Sequence, residues 1–232
     1  MLEALQGGEL SYHIFRHGPF THATARSLLK QLVDGVACIH RAGYLHRDLK
    51  PWNIMLSNDQ SGVKIIDFGL ATKLEDSERM APFDTFMSGT VQYMAPELLL
   101  KNGKRLNADL SKVDTFALGV ILINMLTGSY LFSSCKSQEY EQLVVSTDKF
   151  EDALRGELSC RNEEDADFDD LVKLLKAMVH PDLDMRLSIE QLEDKDCPEA
   201  KWLHSPEYQC SSQAEIRFEV TTRIRQSNQF HR

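Results

Sequence analysis

No stretch of the chain offers the roughly 18 consecutive apolar residues of a membrane-spanning helix. The first residues, Met1-Leu2-Glu3-Ala4-Leu5-Gln6, lack the basic flank and apolar core of a secretory signal. Cysteine is scarce and unpatterned. Cys38, Cys135, Cys160, Cys197 and Cys210 are odd in number and contain no Cys-x-x-Cys, which argues against a disulfide framework and for reduced thiols inside a cell. Positive charge is in deficit: 26 Lys and Arg against 35 Asp and Glu leave a net charge of −9. Nucleic acid and anionic membrane both demand basic patches, so neither is expected as a partner. Nor is there a glycine or proline excess, an internal repeat or a low-complexity tract. What is present is 232 residues, 42% apolar and 26% charged, enough to bury a sizeable core in one large domain or two small ones. The composition predicts a soluble intracellular chain, placed in the cytoplasm with the nucleus still open.

Hydrophobic periodicity predicts a mainly helical body. Gln6-Gly7-Gly8-Glu9-Leu10 reads as a turn into a short helix from Glu9 to about His17, closed by Gly18-Pro19. Thr21 is placed to cap a long helix over about His22–Arg41, in which Ala25, Leu28, Leu29, Leu32, Val36 and Ile39 recur at threes and fours. Gly43 sits where a left-handed residue would end it. Ile54-Met55-Leu56 and Val63-Lys64-Ile65-Ile66 flank the turn-rich Ser57–Gly62 and read as a small hairpin. Lys73 to Met87 is polar and unpatterned, as a mobile loop would be. Lys112–Thr127 is apolar on nearly all faces, hence a buried helix with Gly128 as its cap. Ser137–Val145 predicts a surface helix, and Glu163-Glu164-Asp165 a solvated loop. Asp167 is placed to cap a helix bearing Leu171, Leu174, Leu175 and Met178, and Ser188-Ile189-Glu190-Gln191 forms a capping box for the last one. From about Ser205 the chain turns polar and reads as a loose tail.

Two polar stretches stand out against this scaffold. His46-Arg47-Asp48-Leu49-Lys50-Pro51-Trp52-Asn53 puts an acid, a base and an amide within six residues of a non-periodic segment, and Asp67-Phe68-Gly69 begins fourteen residues after Asn53. Five specified residues at fixed spacing arise by chance on the order of once in a few million positions. Together the stretches resemble the catalytic loop and metal-binding turn of eukaryotic protein kinases. Ser88-Gly89-Thr90 through Ala95-Pro96-Glu97 resembles the segment of that family which receives the substrate peptide. Residues 1–203 therefore resemble a kinase large lobe beginning near the hinge, with 204–232 as a polar tail. The resemblance implies a mainly α fold, the helical kinase-like C-terminal lobe with a small β-hairpin at the active site and the N-terminal β lobe absent.

The resemblance also implies roles. Asp48 would accept the proton of a substrate hydroxyl, Lys50 would neutralise charge on the migrating phosphoryl group, and Asn53 and Asp67 would offer Mg2+ the hard oxygen ligands it prefers. Asp48 and Asp67 could otherwise be plain turn residues. ATP would be the phosphoryl donor, with Met55 packing on the adenine and Leu2 near the position that gates its pocket. Glu9 would contact the ribose or a basic substrate side chain, or else serve only the helix dipole. Asp114 would accept N–H bonds from the catalytic loop, and Arg186 would pair with Glu97. Lys50 followed by Pro-x-Asn implies serine/threonine specificity, and Gly7-Gly8-Glu9 with Asp67-Phe68-Gly69-Leu70-Ala71 is similar to calcium/calmodulin-dependent kinases. Arg47 beside Asp48 implies control by an activating kinase, with Thr85 or Ser88 as acceptor. Trp52 departs from the acidic residue common at its position, against a preference for basic substrates.

The 232 residues contain no glycine-rich phosphate loop and no Val-Ala-x-Lys strand before Asp48, two parts that kinase chemistry uses. The expectation is a piece of a longer serine/threonine kinase, weakly active or inactive alone. The alternative is a non-catalytic kinase-like interaction module. In either case Leu2, Leu5, Leu10 and Met55 are expected to form an exposed apolar patch.

Overall fold

The threes-and-fours spacing of Ala25, Leu28, Leu29, Leu32, Val36 and Ile39 becomes the buried face of α2 (His22–Arg41), the element on which the rest is assembled. Thr21 Oγ1 accepts the Thr24 N–H at 3.2 Å, the expected cap. At the other end Ala42 is the cap residue, and Gly43 follows with φ 82°. The computed structural model describes residues 7–59, 61–75, 91–99, 110–129, 147–158 and 167–205. Leu2, Leu5, Thr85, Ser88, Gly89, Thr90, the Ser137–Val145 stretch, Glu163-Glu164-Asp165 and residues 206–232 lie outside them.

Before α2 comes α1 (Leu10–His17), one residue shorter than expected because Glu9 is its extended N-cap residue. The Glu9 carboxylate accepts from Ser11 Oγ at 3.0 Å instead of capping helix N–H groups. Leu10 and Ile14, one turn apart, face the core. Leu10 is fully buried, so the expected exposed patch does not include it. The exposed apolar side chains of α1 are Tyr12 and Phe15.

After α2 the chain forms two antiparallel ladders. Strand β1 (Tyr44–Leu45) pairs with β4 (Thr72–Lys73), and β2 (Ile54–Leu56) pairs with β3 (Val63–Ile65) in the register Ile54↔Ile65, Met55↔Lys64, Leu56↔Val63. The second ladder is the expected hairpin, one residue shorter. The first corrects the reading of Lys73 as loop: two-residue strands carry no periodicity, and only the pairing of Lys73 with the distant Tyr44 makes one here. Gln31 of α2 clamps the hairpin, donating Nε2–H to Ser61 O at 2.7 Å and accepting Val63 N–H at 3.2 Å. Gly8 O accepts the Leu56 N–H at 2.8 Å and Glu9 bridges Met55, so the chain entering α1 runs along the hairpin edge.

The wholly apolar helix is α3 (Lys112–Thr127), buried from Val113 to Thr127 and ended by Gly128 in the left-handed region at φ 73°. It packs against α2 on one side and against α5 (Phe168–Met178) on the other, after α4 (Thr147–Leu158). The α3–α5 approach depends on Gly119. A Cβ there would lie 2.7 Å from Val179 Cγ1 and 2.9 Å from Met178 Cβ. Asp167 precedes α5 without capping it. Its φ −104°, ψ 18° is not the extended geometry a cap needs, and its carboxylate accepts from Arg26 and Ser205 instead. Ser188 and Gln191 do form the capping box of α6 (Ile189–Glu193), and α7 (Lys201–His204) closes the described chain with Trp202 fully buried. One core cluster joins all these helices and both ladders. No helix among the described residues is long and apolar enough to cross a membrane.

Candidate active site

Burying a carboxylate is expensive unless it is fully hydrogen-bonded, and Asp114 in the first turn of α3 is 1% exposed. Three donors surround it. Its Oδ1 accepts the Arg47 N–H at 2.9 Å, and its Oδ2 accepts the His46 N–H and His40 Nε2, each at 2.9 Å. Burial alone pushes this carboxyl up. The His40 hydrogen bond and the two histidines outweigh that and hold it below the ordinary carboxylate range. An ionised carboxylate only accepts, so His40 carries its proton on Nε2. Helix α3 thus grips the start of the polar loop, as the family resemblance implied. His40 was missed because nothing in a helix signals a partner 74 residues away.

The grip explains an unusual backbone. Among the described residues, Arg47 (φ 67°) and Asp67 (φ 62°) are the non-glycine residues with positive φ, a conformation costing of order 1–3 kcal/mol that surrounding structure must enforce. For Arg47 the enforcement is Asp114 on its N–H and Thr72 Oγ1 accepting from its guanidinium at 2.9 Å. For Asp67 it is the turn in which Oδ1 accepts the Gly69 N–H at 3.1 Å. Burial lowers the Arg47 guanidinium from its usual value, opposed by Asp114. Both strained residues flank the candidate site.

Within the loop, Pro51–Asn53 forms a single 3-10 turn, with the Asn53 N–H bonded to Lys50 O at 2.9 Å. That turn folds three of the six sequence-predicted residues onto one point. Asp48 Oδ2 accepts from Lys50 Nζ at 2.8 Å and from Asn53 Nδ2 at 3.1 Å, and Asn53 Nδ2 also donates to Asp48 O at 2.8 Å. The Asp48 and Lys50 side chains are 13% and 17% exposed, so the pair is partly accessible to solvent. Among the described residues nothing donates to Asp48 Oδ1 or Asn53 Oδ1.

Asp67 is drawn in through the backbone. Ile66 N–H bonds Asn53 O at 2.9 Å, which extends the hairpin register by one pair and sets Asp67 beside the loop. His46 completes the junction. Its Nδ1 accepts the Asp48 N–H at 3.3 Å, so Nε2 carries the proton and donates it to Ile66 O at 3.2 Å. Its ring lies 5.0 Å from that of Phe68. Asp67 is exposed and its Oδ2 has no donor among the described residues. Glu9 and Met55 form a second group: they face each other across the bridge at the hairpin edge, with Glu9 exposed and Met55 half-buried two residues beyond Asn53.

One amide oxygen and one carboxylate, each with an uncommitted oxygen and carried on segments joined by the Ile66–Asn53 backbone bond, are a donor set that fits a hard divalent cation retaining several waters. Farther off, Arg186 holds Glu97 with two bonds of 2.6 and 3.0 Å, both side chains buried, as expected of that pair.

A helical body whose central helix anchors an acid–lysine–amide loop over a hairpin is a kinase-like C-terminal lobe. The protein kinase domain model matches residues 1–196. The chain is 34% identical over 193 residues to sperm motility kinase 3A of Mus musculus, covering 78% of this chain and 35% of that protein. It is 35% identical over 193 residues to the probable serine/threonine-protein kinase fhkC of Dictyostelium discoideum, covering 82% and 30%. Ribosomal protein S6 kinase alpha-4 of Homo sapiens is 43% identical over 141 residues, covering 60% and 17%. The chain belongs to the protein kinase family. It spans about a third or less of the length of these relatives, whose names do not single out the calcium/calmodulin-dependent group.

Proposed function

We propose that residues 1–203 are the large lobe of a protein kinase that transfers the γ-phosphoryl group of ATP to serine or threonine hydroxyls of proteins, with 204–232 as a polar tail. The observation that supports this most is the Asp48 carboxylate, clamped through one oxygen by Lys50 and Asn53 with the other left open. A substrate hydroxyl donating to Oδ1 is aimed for in-line attack. Its oxygen bonds the γ-phosphorus, its proton passes to Asp48, and the bond to the bridging oxygen breaks to release ADP. A carboxylate of ordinary pKa about 4 is a weak base toward an alcohol. Proton loss late in a loose transition state makes its placement matter more than its basicity. Lys50 neutralises charge on the migrating group. Asn53 Oδ1 and Asp67 hold Mg2+, which when bound offsets the phosphate charge. Met55 supports the adenine, and Glu9 faces the ribose or a basic substrate side chain. The partners are Ser/Thr-bearing proteins and an activating kinase acting on Thr85 or Ser88, in the cytoplasm.

This chain alone, without a glycine-rich loop or Val-Ala-x-Lys strand, should turn over weakly or not at all. The test is equilibrium ATP binding to the purified chain with and without Mg2+, alongside transfer to a serine peptide. Binding should require Mg2+ and weaken at least tenfold in Asp67→Asn. Any transfer should vanish in Asp48→Asn. Binding indifferent to Mg2+ and to Asp67 would overturn the proposed site, and transfer that survives Asp48→Asn would overturn the role of Asp48.

A further inference from the structure

Residues four apart share one face of a helix, and α1 carries His13 and His17 at that spacing. Their rings lie 4.9 Å apart, centroid to centroid, and are tilted by 37°. His13 is half-buried, and its ring stacks on Phe20 at 4.3 Å and 13°. Phe20 is itself buried, and its N–H donates to Met125 O of α3 at 2.8 Å. The inner ring of the pair is therefore held by the core, while His17 stays open to solvent. Among the described residues no hydrogen bond occupies a ring nitrogen of either histidine.

We infer that His13 and His17 clamp one divalent transition-metal ion, Zn2+ foremost, across the last turn of α1. With metal–nitrogen bonds of about 2.0–2.1 Å meeting at tetrahedral or square angles, two rings that share an ion have centroids roughly 4.5–5.2 Å apart. The observed spacing falls inside that range. Two histidines four apart on one helix face are also how zinc-binding helices supply a pair of ligands. Imidazole suits Zn2+, Ni2+ and Cu2+, whereas Mg2+ prefers oxygen. This pair and the Asn53–Asp67 oxygens therefore select different metals. Burial, and then the neighbouring His17, lower the His13 ring from its ordinary value, which favours the neutral form that a metal requires. A cation here also lies against the negative end of the helix dipole, a gain that the adjacent Arg16 partly offsets. No cluster of three or more His, Cys, Asp or Glu forms a metal site among the described residues, so water fills the remaining positions. The complex is an exchangeable one.

The test is isothermal titration of the purified chain with Zn2+ in excess Mg2+, which keeps the oxygen site filled. Wild type is compared with His13→Phe, which preserves the stack on Phe20 without a ring nitrogen, with His17→Ala on the exposed side, and with His22→Ala outside the pair. Thermal unfolding without metal checks that each variant is folded. One equivalent of Zn2+ should weaken at least tenfold in His13→Phe and in His17→Ala alike, and persist in His22→Ala. Amide exchange at Gly18, whose N–H bonds Ile14 O at 3.0 Å, should slow several-fold when Zn2+ spans that turn. Cu2+ added to wild type should broaden the ring-proton resonances of both histidines together, a readout that needs no substitution. Binding that survives both substitutions, falls with only one of them, or is absent from wild type would overturn the inference. So would Gly18 exchange indifferent to Zn2+, or broadening of one ring alone.

Discussion

Replacing Asp114 with asparagine keeps the shape of the side chain and removes its charge and one acceptor. In the structure Oδ1 serves Arg47 N–H alone, while Oδ2 serves His46 N–H and His40 Nε2. The amide will therefore turn its NH2 toward Arg47, losing one bond to save two. A hydrogen bond to a charged group contributes about 1.5–3 kcal/mol, and the two survivors fall to neutral strength, roughly half. The relief of burying no charge offsets part of this. The net loss should be about 2–4 kcal/mol, a large share of the roughly 5–15 kcal/mol that stabilises a domain. Because the folded carboxyl is depressed, its contribution is present above the unfolded value of about 3.9 and is lost as pH falls through the folded value. The wild-type advantage in urea unfolding should therefore be as large at pH 5 as at pH 7, and shrink only in more acid solution. Amide hydrogen exchange should accelerate at His46 and Arg47 more than in α3. A variant within about 0.5 kcal/mol of wild type, or a gap that closes between pH 7 and 5, would refute the anchoring argument.

Arg186→Met leaves Glu97 buried and unpaired, and should cost about 3–5 kcal/mol in denaturant unfolding. Restoring most of that stability with Glu97→Gln in the same chain would attribute the loss to the stranded charge. Gly119→Ala gains about 1 kcal/mol of helix propensity but drives a methyl against Val179 and Met178. Overpacking of this kind costs typically 1–3 kcal/mol, so the variant should unfold at lower urea concentration, and a rise in the midpoint would contradict the packing described for α3 and α5.

Which elements exist was legible in the chain because the evidence for them is local. The Thr21 cap, the apolar run of α3, the Gly128 terminus and the Ser188–Gln191 box each reside within a few residues, and each formed. The motif residues were legible for a related reason, since Asp48, Lys50 and Asn53 lie in one short loop whose proline-led turn folds them together. Asp67 could be named from its turn, but its place beside Asn53 depends on hairpin register.

What the tertiary structure alone decided are the contacts between distant segments. The β1–β4 ladder, the third donor to Asp114 from His40, the Arg47–Thr72 bond and the inward turn of Leu10 have no local signature. Asp167 shows the converse, a residue suited to a cap that bonds Arg26 and Ser205 once packing brings them near. Side-chain chemistry fixes what a residue is able to do, and short spacing fixes what its neighbours do with it. Which partner it meets across the fold is settled only when burial of α3 forces the loop, the hairpin and α2 onto the same core.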